Sequence, residues 1–141
     1  MKILVAKSAG YCFGVRDAVK IAYETSKNEG DVYMLGTIVH NERVVDDLSK
    51  SGAKVVNELE AVPKDKPILF RAHGTAPQVW EKAKEKNMKV VDATCPLVIE
   101  IHEEIKKLES EGRRTIIIGD HGHDEVEGIA AQVKRPIIIA N

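Results

Sequence analysis

Five residues able to do chemistry recur at one kind of position. Cys12, His40, His73, Cys95 and His123 each stand a few residues beyond a short β-type run, in loops that also carry glycine. His73 lies two residues after the run ending at Arg71, Cys95 three after Asp92, and His123 four after Gly119. Thiolates bind soft metals, and imidazoles bind metals, move protons or contact anions. The loops read Gly10-Tyr11-Cys12-Phe13-Gly14, Gly36 ahead of His40, His73-Gly74, and Gly119-Asp120-His121-Gly122-His123. Glycine lets the backbone approach a ligand closely. Cys95 precedes Pro96 at an expected helix start, where the helix dipole favours an anion such as a thiolate.

Each residue taken alone also has a plain structural reading. A free cysteine is a small hydrophobe, and a loop histidine can be a hydrogen-bonding anchor. Five on one edge make the joint structural reading weaker than any single one. His102 falls beside a helical apolar stripe and reads as structural. Arg71 reads as an ion-pair partner, Trp80 as helix packing, and the Lys/Glu runs at 81–86 and 103–107 as solvated faces. His121-Gly122-His123-Asp124-Glu125 resembles a His-x-His-x-Asp zinc signature, but Glu125 stands where the Asp belongs and no later histidine follows. Neither a Walker-type loop nor Gly-x-Gly-x-x-Gly is present.

The elements that must position these residues alternate. Apolar, Val/Ile-rich runs at Lys2–Ala6, Asp31–Leu35, Lys54–Val56, Pro67–Arg71, Lys89–Asp92, Arg114–Gly119 and Pro136–Ala140 predict strands buried on both faces. Between them, Val15, Val19, Ala22 and Tyr23 predict one helix face, and Val98, Ile101, Ile105 and Leu108 another. Asn28-Glu29-Gly30, Ser51-Gly52 and Glu111-Gly112 are helix stops. The pattern predicts an α/β fold of three-layer units with a mainly parallel sheet. A boundary near Asp92–Cys95 divides the chain into a first unit at 1–93 and the start of a second, truncated one at 94–141. Ligands of such sheets bind beyond the strands' carboxyl ends, where the five residues are expected to meet.

With 141 residues, 43% hydrophobic and 30% charged, the chain has ample material for a core. Its net charge of −1 supplies no basic field for nucleic acid. The apolar runs are far shorter than a membrane helix, and no secretory h-region follows Met1, so a cytoplasmic, non-membrane protein with both cysteines as thiols is expected.

Five blocks carry a family resemblance: Ala9-Gly10-Tyr11-Cys12-Phe13-Gly14-Val15, Gly36-Thr37-Ile38-Val39-His40-Asn41, Arg71-Ala72-His73-Gly74, Asp92-Ala93-Thr94-Cys95-Pro96 and Gly122-His123-Asp124-Glu125-Val126-Glu127-Gly128. In this order they resemble the 4-hydroxy-3-methylbut-2-enyl diphosphate reductases, iron-sulfur enzymes of non-mevalonate isoprenoid biosynthesis. The resemblance implies a trefoil-like, multi-unit fold, of which about two units are present here as an N-terminal portion, inactive alone. It implies that Cys12 and Cys95 hold a 4Fe-4S cluster whose third cysteine ligand is absent from this chain. It implies that His40, His73 and His123 contact the diphosphate of an allylic substrate and that Glu125 donates a proton. An electron-donor protein such as ferredoxin or flavodoxin is implied as partner. The alternatives are a module that binds a phosphorylated ligand, and a zinc hydrolase centred on His121 and His123.

Overall fold

Parallel strands cannot be joined by tight turns, so each must be followed by a crossover, and a helix is the usual one. The structure, a computed structural model describing residues 1–140, follows this rule. Its elements run α1 (Phe13–Glu29), β1 (Val32–Leu35), α2 (Glu42–Lys50), β2 (Ala53–Val56), a short 3-10 turn, β3 (Ile68–Phe70), α3 (Pro77–Glu85), β4 (Val90–Asp92), α4 (Pro96–Ser110), β5 (Ile116–Ile118), α5 (Asp124–Ala130) and β6 (Ile137–Ile139). A four-stranded parallel sheet has the order β2-β1-β3-β4, and β5 and β6 pair as a second parallel sheet. The α/β, parallel reading of the sequence therefore holds.

Alternation along the first sheet feeds two cores. Val32, Met34 and Leu69 point to the side covered by α1 and α2, where Ala18, Ala22, Ile38 and Leu48 complete a buried cluster. Ile68 and Phe70 point to the other side, against Leu59, Val62 and Ala83 of α3. Trp80 of α3 meets Phe70 edge-on, with ring centroids 4.7 Å apart, so it packs as the sequence suggests. Strand β3, buried at all three residues, is the doubly covered strand expected of a central position.

Four expectations change. Lys2–Ala6 forms no strand: residues 1–12 carry no regular element, and Ile3, Leu4 and Val5 are exposed. A strand needs a neighbour for its backbone donors and acceptors, and neither sheet pairs with this run. On β5 and β6 only part of the apolar run is buried. Ile117 is covered, whereas Ile116, Ile118 and Ile139 face outward, because two strands leave a face without a helix layer. On α1 the buried stripe is Gly14, Ala18, Ala22 and Ser26 rather than one containing Tyr23, which is exposed. Small residues at this spacing bring the helix close to the sheet. On α4, Val98 and Ile105 are buried as expected, but His102 takes the buried place expected of Ile101.

This difference between the sheets is measurable. Phe70→Ala should cost about 3–5 kcal/mol. Ile118→Ser, at a residue 84% exposed, should change stability by less than about 0.5 kcal/mol. Denaturant titration of the two variants checks the pair.

Candidate functional site

The loops that follow β1, β3 and β4 do not splay apart. The Ala72 N–H donates to the Ile38 carbonyl at 3.3 Å, and the Cys95 N–H donates to the Ala72 carbonyl at 3.0 Å. These bonds carry the ladder beyond the strands, so the segments bearing His40, His73 and Cys95 stay side by side. β1 and β3 are also the strands between which the chain's direction of winding reverses, the position where open parallel sheets bind ligands.

His40 and His73, on these adjacent loops, stack with ring centroids 4.3 Å apart and planes at 30°. His123 arrives from the second sheet, 5.6 Å from His40 and 6.5 Å from His73. It caps α5: its Nδ1 accepts the Glu125 N–H at 3.3 Å. In the neutral ring that leaves the proton on Nε2, available to donate. His73 is the ring of the three whose protonation is disfavoured by its surroundings. It is pushed down to about 4, chiefly by burial and then by His40, with Asp124 opposing and Arg71 and His123 adding to the shift. Its Nδ1 is buried without a partner. An arriving anion would reverse the penalty and favour the charged rings.

The seat of this cluster joins the two sheets. Gly128 of α5 lies against the His73 carbonyl, where a Cβ would stand 3.2 Å away. Gln132 donates to the Thr75 carbonyl at 3.3 Å and the Gly128 carbonyl at 2.9 Å. Beneath Gly74, which has φ +86°, the imidazole of His102 fills the space a side chain would need. His102 is held below its usual pKa by burial and then by Lys106, against the pull of Asp92 and Glu125. It is a packing residue, as its sequence position suggested.

Cys12 and Cys95 are the N-caps of α1 and α4. The Cys95 sulfur lies over Gly14, two residues into the α1 side of the site; a Cβ there would stand 2.5 Å from it. Gly14 thus makes room for the thiol beside the helix that Cys12 caps. Both thiols are free, Cys12 exposed and Cys95 half-buried. Helix N-termini favour thiolates, so the donor set suits a thiolate-bound metal group, and two thiols are what these residues supply. Glu125 is half-buried in the first turn of α5, directly after the histidine cluster.

One residue acquires a role the sequence did not assign. Asp124, the first residue of α5, pairs with Arg71 at 2.7 Å and approaches His40 Nε2 at 3.8 Å. His40, His73 and Asp124 each offer a ligand atom within 4.8 Å of the others, although the Asp124 oxygen is engaged by Arg71. Arg71 was legible as an ion-pair partner; Asp124 lay inside a motif with nothing marking it. His121 is exposed, and among the described residues neither it nor His123 belongs to a cluster with metal-ligand spacing. The zinc-hydrolase reading has no geometry behind it.

Parallel α/β architecture, thiols at two helix N-termini and histidines gathered past the strand ends define the class: a parallel α/β chain with its reactive side chains grouped at a sheet edge. Comparison with known proteins identifies the family. A family model described as LytB protein matches residues 3–141, and the chain belongs to the LytB family. It is 39% identical over 140 residues to the 4-hydroxy-3-methylbut-2-enyl diphosphate reductase of Clostridioides difficile, covering 99% of this chain and 50% of that one. To the reductase of the same description from Wolbachia pipientis it is 42% identical over 143 residues, covering 99% and 46%. The structure of the E-1-hydroxy-2-methyl-but-2-enyl-4-diphosphate reductase from Plasmodium falciparum matches with a TM-score of 0.91 at 34% identity, over 94% of this chain and 42% of that chain. A solved (E)-4-hydroxy-3-methyl-but-2-enyl diphosphate reductase matches with a TM-score of 0.83 at 35% identity, over 97% and 50%. The chain spans about half the length of the curated relatives it matches.

The depressed pKa of His73 makes a signed prediction. The unfolded chain binds the proton near 6.5 and the folded chain near 4. Between these values the unfolded state therefore holds more protons, and stability falls as pH drops through the window. The melting temperature should decline from pH 7 to pH 4.5, and His73→Gln should flatten part of that decline.

Proposed function

We propose that the chain is the N-terminal portion of a 4-hydroxy-3-methylbut-2-enyl diphosphate reductase and that its histidine cluster is the diphosphate site. The observation that carries the reading is the convergence of His40, His73 and His123 within 6.5 Å at the carboxyl edge of a parallel sheet. A diphosphate is a compact multivalent anion, and three imidazoles offer it donors that become charged as it arrives. Burial of His73 strengthens such contacts by excluding competing water. Family membership across nearly the whole chain favours a reductase over a bare phosphate-binding module.

In this proposal Cys12 and Cys95 hold two irons of a 4Fe-4S cluster, with the third thiolate coming from outside these 141 residues. When bound, the cluster supplies electrons and an iron open to the substrate's hydroxyl. The chain's own residues orient the substrate and deliver a proton. The Cys95 segment runs beside Ala72-His73 in the extended ladder, which supports a substrate lying with its diphosphate on the histidines and its allylic end toward the thiols. Loss of the hydroxyl as water requires a proton, and Glu125, two residues beyond His123, is the carboxyl assigned to give it. Electrons come from a ferredoxin- or flavodoxin-type donor, and the setting is cytoplasmic.

Two outcomes test the assignment. In the reductase completed by its C-terminal half, Glu125→Gln should slow turnover by about 100-fold or more while leaving diphosphate affinity within about threefold. Turnover close to wild type would remove the proton-donor role. Residues 1–141 alone, reconstituted anaerobically with iron and sulfide, should bind substoichiometric iron and show no turnover, both restored by the C-terminal half. A stable cluster and substantial activity from the isolated chain would overturn the two-thiolate assignment.

A further inference from the structure

A carboxylate inside a site for a diphosphate calls for an explanation, since by charge alone it opposes binding. Asp124 is such a group: its Oδ2 lies 3.8 Å from His40 Nε2, and its charge reaches His73. The same oxygen takes a 2.7 Å ion pair from Arg71, with both side chains about three-quarters buried. Arg71 is itself seated. Its Nη1 lies over Gly36, where a Cβ would stand only 2.7 Å away, and Gly36 has a φ of +72°. A side chain at position 36 would therefore push the guanidinium off its seat and strain the backbone as well. The ion pair also spans the molecule's two sheets, because Arg71 follows β3 and Asp124 opens α5 after β5.

We propose that Arg71 and Asp124 are positioning residues of the diphosphate site: Arg71, seated on Gly36, holds the Asp124 carboxylate against His40 and so sets where that imidazole stands. The inference rests on the reading of the histidines as the diphosphate site. The distances form one chain of contacts, with Gly36 leaving room for Arg71, Arg71 paired with Asp124, and Asp124 approaching His40. His40 needs such a support because its own side chain is half exposed and, among the described residues, its other ring contacts are the stack on His73 and the tilted ring of His123. Arginine suits the task better than lysine because its planar fork has a fixed direction, whereas an ammonium is a point charge on a flexible stem.

The sign of one substitution separates positioning from mere proximity. Calorimetric titration of inorganic diphosphate into the 141-residue chain should show Asp124→Asn and Arg71→Met each weakening binding by about tenfold. The double variant should be no weaker than either single, the mark of residues acting as a unit. Arg71→Lys should recover only part of the loss, since the charge remains but the fixed direction of the fork does not. Asp124→Asn binding diphosphate as tightly as wild type, or more tightly, would overturn the proposal, as would losses that multiply in the double variant. Thermal melts identify any variant that does not fold. In that case Asp124→Glu, which keeps the charge but moves it, should still weaken binding, and wild-type affinity in it would equally overturn the proposal. A second arm needs no ligand: Asp124→Asn and Arg71→Met should both shift the His40 Cε1–H NMR resonance and leave that of His121 in place. An unmoved His40 signal sinks the positioning role. If instead the three single His→Ala variants bind diphosphate like wild type, it is the diphosphate reading that fails, while the resonance shift still reports on the contact itself.

Discussion

The parallel hydrogen-bond ladder imposes a direction on the whole molecule, and the site depends on that direction. In a parallel sheet every strand delivers its carboxyl end to the same edge, so residues far apart in sequence reach one place without any contact between the strands' other ends. Here the ladder continues past the strands through Ala72 to Ile38 and Cys95 to Ala72. Without those bonds, the loops after β1, β3 and β4 would be free to separate, and the stacked pair of His40 and His73 would have no fixed spacing. The crossover helices then do double duty, covering the sheet and presenting their N-termini to the same edge.

The electrostatics of that edge follow from the crowding. Three imidazoles, an arginine and a carboxylate lie close together, half out of water. In the free protein the cheapest arrangement keeps His73 neutral and lets Asp124 neutralise Arg71. Under the proposed diphosphate role, an anion arriving beside His73 would favour its charged form and so link binding to pH through that ring. The thiols stand apart from this, each at a helix start, with Gly14 leaving room for the Cys95 sulfur. One edge therefore holds two chemically distinct zones, an imidazole zone and a thiol zone, in contact along the Ala72–His73 segment.

Packing between the sheets is polar and close rather than greasy. Gly128 on the His73 carbonyl, Gln132 bridging Thr75 and Gly128, and the Arg71–Asp124 pair tie α5 to the β3 loop. Such a joint relies on short distances, which is why glycine stands at positions 36, 74 and 128. The price is little apolar burial there, and Ile116, Ile118 and Ile139 remain exposed on the second sheet.

Much of this was legible in the residues themselves. Short Val/Ile runs alternating with amphipathic stretches determined a parallel α/β fold, because a buried parallel strand must be apolar on both faces and must be followed by a crossover. Position after a strand-like run singled out Cys12, His40, His73, Cys95 and His123, although the run before Cys12 forms no strand. What periodicity could not determine was which apolar run finds a partner. Lys2–Ala6 has strand composition yet joins neither sheet among the described residues, and β5 has it yet buries only Ile117. Pairing is a property of neighbours in space, to which a local pattern is blind. The same holds for Asp124 and for the buried face of α4, where His102 rather than Ile101 turns inward beneath Gly74. Residue type and spacing determined which groups arrive at the sheet edge, and only the tertiary structure decided which of them touch, because contact distances are set by the packing of segments that the chain brings together from opposite sheets.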